Sequence, residues 1–118
     1  MSFIDLHVHS NLSDGLFSPH VMVRKAVKRG LDGLAFVDHL KRPWNLSILE
    51  RRFKFYRESS LDDFIVIPGV EFSFEVGHVV ALFPSFDVDF AGVSIWNLSS
   101  LSLFIRSLDG VVIGAHIF

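Results

Sequence analysis

Four times in this chain a short apolar run is closed by a histidine or an acid. Phe3-Ile4 leads into Asp5-Leu6-His7-Val8-His9, Leu34 to Val37 ends on Asp38-His39, Phe64 to Val70 ends on Glu71, and Val111 to Ala115 ends on His116. Stretches of helical periodicity separate several of these runs. Strand and helix in alternation imply a parallel sheet with helices crossing over it. Right-handed crossovers bring the C-terminal ends of successive strands to one edge, the edge where α/β proteins place their chemistry. The pattern therefore constrains the chain to an α/β architecture with imidazoles and carboxylates gathered at one rim.

Taken in order, the first strand has a period of two, so Asp5, His7 and His9 share one face and Leu6 and Val8 lie on the other, against helices. Asn11 to Phe17 reads as a loop turning at Ser13-Asp14-Gly15. Ser18 as N-cap and Pro19 at the first helical position open a helix, with Val23, Ala26 and Val27 as its stripe and Gly30 as its stop. Its Arg24, Lys25, Lys28 and Arg29 form a solvated face. Lys41 to Trp44 reads as a loop, and Asn45 to about Ser60 as a second helix with Leu46, Leu49, Phe53 and Tyr56 inward. Only six residues separate Glu71 from His78, too few for a helical crossover. The strand Val79 to Phe83, opened by His78, should therefore fold back as an antiparallel hairpin. Pro84 to Ile95 is irregular. Asn97 to Leu108 is a third helix with Leu98, Leu101, Ile105 and Leu108 inward and Asp109-Gly110 as its stop, and Val111 to Ala115 is another buried strand.

With 118 residues, the chain can build one core but not two. It has no cysteine, so any metal must be held by histidine and carboxylate. A formal charge of −2 exerts no global pull toward nucleic acid or anionic membrane. No basic N-terminal region precedes an apolar run, and no apolar stretch reaches the roughly 20 residues of a membrane span. The expectation is a soluble, cytoplasmic protein.

Two imidazoles at i and i+2 on a strand end can close on one ion, and neutral imidazole suits zinc and other first-row divalent metals. Asp5 could accept the second N–H of a ligating ring. Such a pair alone reads more readily as a half-exposed strand face with no ligand. The case for metal comes from number: His7, His9, His39, His78 and His116 all sit at strand termini, with Asp14, Asp38 and Glu71 beside them. His20, in the first turn of a helix, reads as a surface residue. A central Glu71 could bridge two ions, and paired ions generate hydroxide near neutral pH and neutralise a phosphoryl oxygen. Lys41 and Arg42, just behind His39, read either as solvated loop charges or as contacts for an anionic substrate group.

Asp5-Leu6-His7-Val8-His9-Ser10 with Ser13-Asp14-Gly15 resembles the first motif of the PHP (polymerase and histidinol phosphatase) family. Gly30 to His39 resembles its second motif, and Pro68-Gly69-Val70-Glu71 with Gly77-His78-Val79 its third. Gly114-Ala115-His116 is similar to the family's Ala-His-Pro segment, with Ile117 where the family has Pro. The resemblance implies an α/β fold, the N-terminal portion of a distorted (β/α)7 TIM-like barrel with about five strands present and the C-terminal part of the barrel lacking. On this reading residues 1–118 form one PHP domain.

The resemblance also implies a site of up to three divalent ions, zinc or manganese first, with iron or magnesium as alternatives. His7 and His9 would hold one ion and share Glu71 with a second, Asp14 and His39 would hold a third, and His78 and His116 are candidates for the second. Asp38, His39 and Glu71 are the residues implied for catalysis, Asp38 acting from behind His39. The implied activity is hydrolysis of a phosphate mono- or diester by metal-activated hydroxide. The substrate would be a phosphorylated small molecule, a nucleotide or an oligonucleotide, with no membrane involved. A second chain or another copy could complete the barrel. The alternative is a non-catalytic PHP-like module: an RNA-binding or scaffold subunit, or an accessory or proofreading domain of a polymerase.

Overall fold

The N-terminal half folds as strand, helix, strand. Strand β1 (Ile4–Val8) is followed by helix α1 (Pro19–Lys28) and strand β2 (Gly33–Phe36), and β1 and β2 pair in parallel. The computed structural model describes residues 2–75, 77–90, 94–95 and 97–117, and the side chains of all of these except 94 and 114–117. Ser18 caps α1 by accepting the Val21 N–H, Pro19 occupies the first turn, and Gly30 follows the helix at φ +81°. The cap and stop residues named from the sequence thus perform those tasks.

Beyond β2 the chain departs from expectation. Lys41 to Trp44 is not a plain loop, for two short strands flank it: β3 (His39–Lys41) and β4 (Trp44–Asn45). Helix α2 (Ser47–Glu58) and strand β5 (Ile65–Phe74) come next. β5 has ten residues, longer than its apolar core suggests, because it has partners along its whole length. Its first half pairs with β2 and its second half with β3, both in parallel. Glu71 therefore lies inside a strand, opposite His39, and not after a strand end.

Strand β6 (Gly77–Leu82) folds back antiparallel on β5 with Ser73 opposite His78, so the hairpin is present as the six-residue separation requires. Strand β7 (Ser94–Ile95) pairs with β4 as a separate two-stranded ribbon, an element that the irregular 84–95 segment did not announce. Helix α3 (Leu98–Ser107) is capped by Asn97, which accepts the Ser100 N–H at 2.8 Å. Strand β8 (Val111–Ile117) pairs antiparallel with β6, His116 opposite His78. Two reversals after β5 leave β8 running in the same direction as β1, β2 and β5. The sheet path is β1-β2-β5-β6-β8, with β3 on the distal half of β5, forming a curled half-barrel.

The core lies between this sheet and the helices. Tyr56 stacks on Phe36 with ring centroids 4.6 Å apart, and Phe53 meets Phe90 edge-on at 5.4 Å. Val23 and Ala26 of α1, Leu49 and Phe53 of α2, and Leu101 and Ile105 of α3 are buried, as the helical stripes require, whereas Val27, expected in the α1 stripe, is exposed. The two outer strands are different. Leu6 is 44% exposed, and Val111 and Ile113 are exposed too, so neither strand is covered as the sequence suggests. A strand paired on one side only has less neighbouring structure to cover it. Among the described residues no helix is long and apolar enough to cross a membrane.

Candidate metal centre

Glu71 is the hub. It sits in mid-β5 with its side chain only 7% exposed, and four imidazoles surround it. His7 Nε2 lies 2.8 Å from Oε1, while His39 Nδ1 lies 2.7 Å from Oε2. His9 Nε2 and His78 Nδ1 each lie 3.7 Å from Oε2. Three different causes bring these rings together. His7 and His9 come from the end of β1, with an irregular register between Asp5 and Val8. His39 is placed by parallel pairing directly opposite Glu71, and His78 by the β5–β6 hairpin.

Asp14 reaches the group from the loop after β1. Its carboxylate lies 3.3 Å from His9 Nδ1 and 3.3 Å from His39 Nε2. Histidine and acid atoms thus form three groups, each within 4.8 Å: His7, His9 and Glu71; His9, Asp14 and His39; His39, Glu71 and His78. Each could hold one ion. His9 Nε2 is buried and makes no hydrogen bond, an uncompensated polar atom of the sort that a metal would satisfy. The donor set is oxygen and imidazole nitrogen, which suits zinc, manganese or iron. The residues present fit the metals that the sequence implies. The side chain of His116 lies outside the described residues; its backbone stands beside His78 on the neighbouring strand.

Asp38 is placed differently from its neighbour. It is fully buried, and its carboxylate faces the Ser10–Gly15 loop rather than the imidazoles. Oδ1 accepts the Ser10 N–H at 2.7 Å and the Ser13 hydroxyl at 2.6 Å. Oδ2 accepts the Ser10 hydroxyl at 2.8 Å and the Tyr56 hydroxyl at 2.5 Å. Burial, and then the Asp38 charge, push the Tyr56 hydroxyl far above its ordinary pKa, so it remains a donor. Asp5 likewise does not touch a ring: its Oδ1 accepts the backbone N–H of His7 at 3.0 Å. His20 is exposed.

Three residues that the sequence did not single out for the site complete it. Ser73 Oγ lies 3.1 Å from His39 Nδ1 and 3.2 Å from His78 Nδ1, linking the two rings. Tyr56 anchors Asp38 from the core. Arg52, on α2, donates to the His39 carbonyl at 2.7 Å. Ser73 could have been found as the second residue after Glu71 on the same strand face. The other two carried no local signal.

The loop bearing Asp14 is tightly folded. Gly15 donates its N–H to the Ser10 carbonyl at 2.9 Å, and a Cβ at Gly15 would stand 2.4 Å from the His9 carbonyl oxygen. Backbone cannot yield as a flexible side chain does. Gly15→Ala is expected to cost about 2 kcal/mol of stability, the scale of forced overpacking. Equilibrium urea unfolding would measure it, and an unchanged midpoint would show that the loop can open at no cost.

A cleft of about 510 Å³ opens over the centre, lined by Ser13, Asp14, His39, Leu40, Lys41, Arg52, Ser73 and His78. Its volume is in the range of small-molecule sites.

A family model for the PHP domain matches residues 5–109. No curated protein sequence matches the chain. Among solved structures, a candidate metal-dependent phosphoesterase from Bifidobacterium adolescentis is 25% identical with a TM-score of 0.55, the alignment covering 70% of this chain and 28% of that one. A two-domain protein from Bacteroides vulgatus, containing a predicted PHP-like metal-dependent phosphoesterase, is 24% identical with a TM-score of 0.71, covering 92% of this chain and 33% of that one. The second likeness supports the fold: a partial PHP, TIM-like barrel. The chain thus spans about a third or less of these relatives' length.

Proposed function

We propose, from the premise that this chain belongs to the PHP domain family, that it is the metal-binding part of a phosphoesterase hydrolysing a phosphate mono- or diester. The observation that carries this reading is one buried carboxylate, Glu71, shared by His7, His9, His39 and His78. Four imidazoles around one acid are poorly explained as core packing, and the uncompensated His9 Nε2 points the same way. The name of the Bifidobacterium relative adds support at the level of reaction class.

His7, His9 and Glu71 would hold one ion, Glu71 and His78 would contribute to a second, and Asp14 and His39 to a third. Ions held there would supply a nucleophile from water near neutral pH and neutralise charge on phosphoryl oxygens. The chain's own residues set the geometry. Glu71 ties β5 to rings from three other segments. Ser73 orients His39 and His78 through their Nδ1 atoms. Asp38, expected among the catalytic residues, serves in this reading as a positioning residue: it holds Ser10 and Ser13, and through them the loop that presents Asp14. Ser13, Asp14 and Lys41 line the cleft that would receive the substrate.

The extent of the domain belongs to the same proposal. Further strands, from additional polypeptide or from a second chain, would cover the apolar residues exposed on β1 and β8. The relatives' greater length supports this reading.

Purified protein supplied with manganese or zinc should hydrolyse phenyl phosphate. His7→Ala should lower the rate about 10²-fold, the scale of losing one group that stabilises transition-state charge. Elemental analysis should find two or three metal equivalents per chain. A rate unchanged in His7→Ala would rule the reading out, and a complete lack of bound metal would favour the non-catalytic module.

A further inference from the structure

Two cations stand at the mouth of the cleft with no structural task that accounts for both. On β3, side chains alternate: Leu40 is buried, 5% exposed, and packs into the core. Lys41 therefore shares its face with His39, and its strand register sets it opposite Ser73, on the wall where His78 also stands. Its ammonium forms no ion pair with a described residue. Arg42, the other candidate from the sequence, is engaged elsewhere: its Nη1 donates to Glu75 at 3.0 Å and its guanidinium lies 5.0 Å over the Trp44 ring. Arg52 takes its place. One arm of its guanidinium is fixed on the His39 carbonyl at 2.7 Å, which holds the remaining planar donors at the cleft.

We infer that Lys41 and Arg52 form a second anion subsite, reading a carboxylate or phosphate on the leaving-group side of the substrate. This rests on the hydrolytic reading above and deepens it. The three ligand groups already provide for the scissile phosphate, and the cleft extends outward past them to the cations. Lys41 lies two residues along the strand from His39, a displacement of about 7 Å. A compact substrate with two anionic groups roughly that far apart would meet ions with one group and cations with the other. Among the described residues Asp14 is the only acid lining the cleft, and it is turned to His9 and His39.

Calorimetric titration of the manganese-loaded protein with two inert probes tests this directly. Phenylphosphonate carries the first anion alone; 4-phosphonobenzoate adds a carboxylate across the ring. The wild type should bind 4-phosphonobenzoate about fivefold more tightly, as suits a partly exposed charge pair, and the difference should shrink with added salt. Lys41→Gln should lose most of the preference while still binding phenylphosphonate, and Arg52→Gln should weaken it separately. Equal affinities, no binding of either probe, or a preference surviving in both variants would overturn the subsite. Phenyl phosphate hydrolysis separates the two ideas. A protein inert toward that ester yet showing the Lys41-dependent preference loses the reaction and keeps the subsite.

Discussion

Glu71→Gln is expected to lower phosphate-ester hydrolysis on the order of 10³-fold, more than the loss of any one histidine, because it removes charge from two ligand groups at once. The substitution preserves volume in a position that is 5% exposed, so the packing around Phe72 and Val70 has no reason to change. What disappears is the anion that stands within 3.7 Å of His7, His9, His39 and His78. Mass-spectrometric metal analysis of the variant should find at most one retained equivalent, in the group formed by His9, Asp14 and His39. Circular dichroism should report an unchanged fold. Full metal loading with a wild-type rate would mean that the centre is not organised around this carboxylate.

Asp38→Ala is expected to produce the largest loss of stability, about 4 kcal/mol, the scale of opening a buried charged network. The Ser10 N–H, the Ser10 and Ser13 hydroxyls and the Tyr56 hydroxyl would all lose their acceptor, three of these four donors in residues that are fully buried. Tyr56→Phe removes only one of the four bonds and should cost about 2 kcal/mol, the value of a hydrogen bond to a charged group. Guanidinium unfolding of both variants measures the contrast. The raised pKa of Tyr56 adds an alkaline signature. The folded state keeps this proton where the unfolded chain loses it, so the contribution is complete below about pH 10 and declines above it. That decline should be absent from Tyr56→Phe. If Asp38→Ala were no more costly than Tyr56→Phe, the serine contacts would contribute nothing and the Asp14 loop would be held by other means.

The parts legible in the sequence were those with local causes. Ser18-Pro19 and Asn97 mark helix starts through backbone N–H groups that lack intrahelical partners. The apolar runs mark strands because both faces of an inner strand are buried, and the short link from Glu71 to His78 leaves room only for a hairpin. The gathering of His7, His9 and His39 was foreseeable from crossovers that leave strand ends at one edge, and that of His78 from the short hairpin, whereas Asp14 arrives from a loop and Glu71 from inside a strand. The short strands β3, β4 and β7 were not. Two or three residues carry no period, and each is a strand only because a partner lies beside it: β5 for β3, and β4 and β7 for each other.

The amino-acid order by itself determined which residues could bind metal, the layered architecture, and the edge where the chemistry gathers. Periodicity, capping and crossover handedness act over a few residues or follow from chirality, so they are written locally. Only tertiary structure decided that Glu71 sits inside a ten-residue strand at the hub. It likewise decided that Asp38 turns to serines and a core tyrosine, that Ser73 joins two rings, and that Arg52 rather than Arg42 faces the cleft. Each of these depends on a partner at least five residues away, and on which buried polar groups must find one another once water has been excluded.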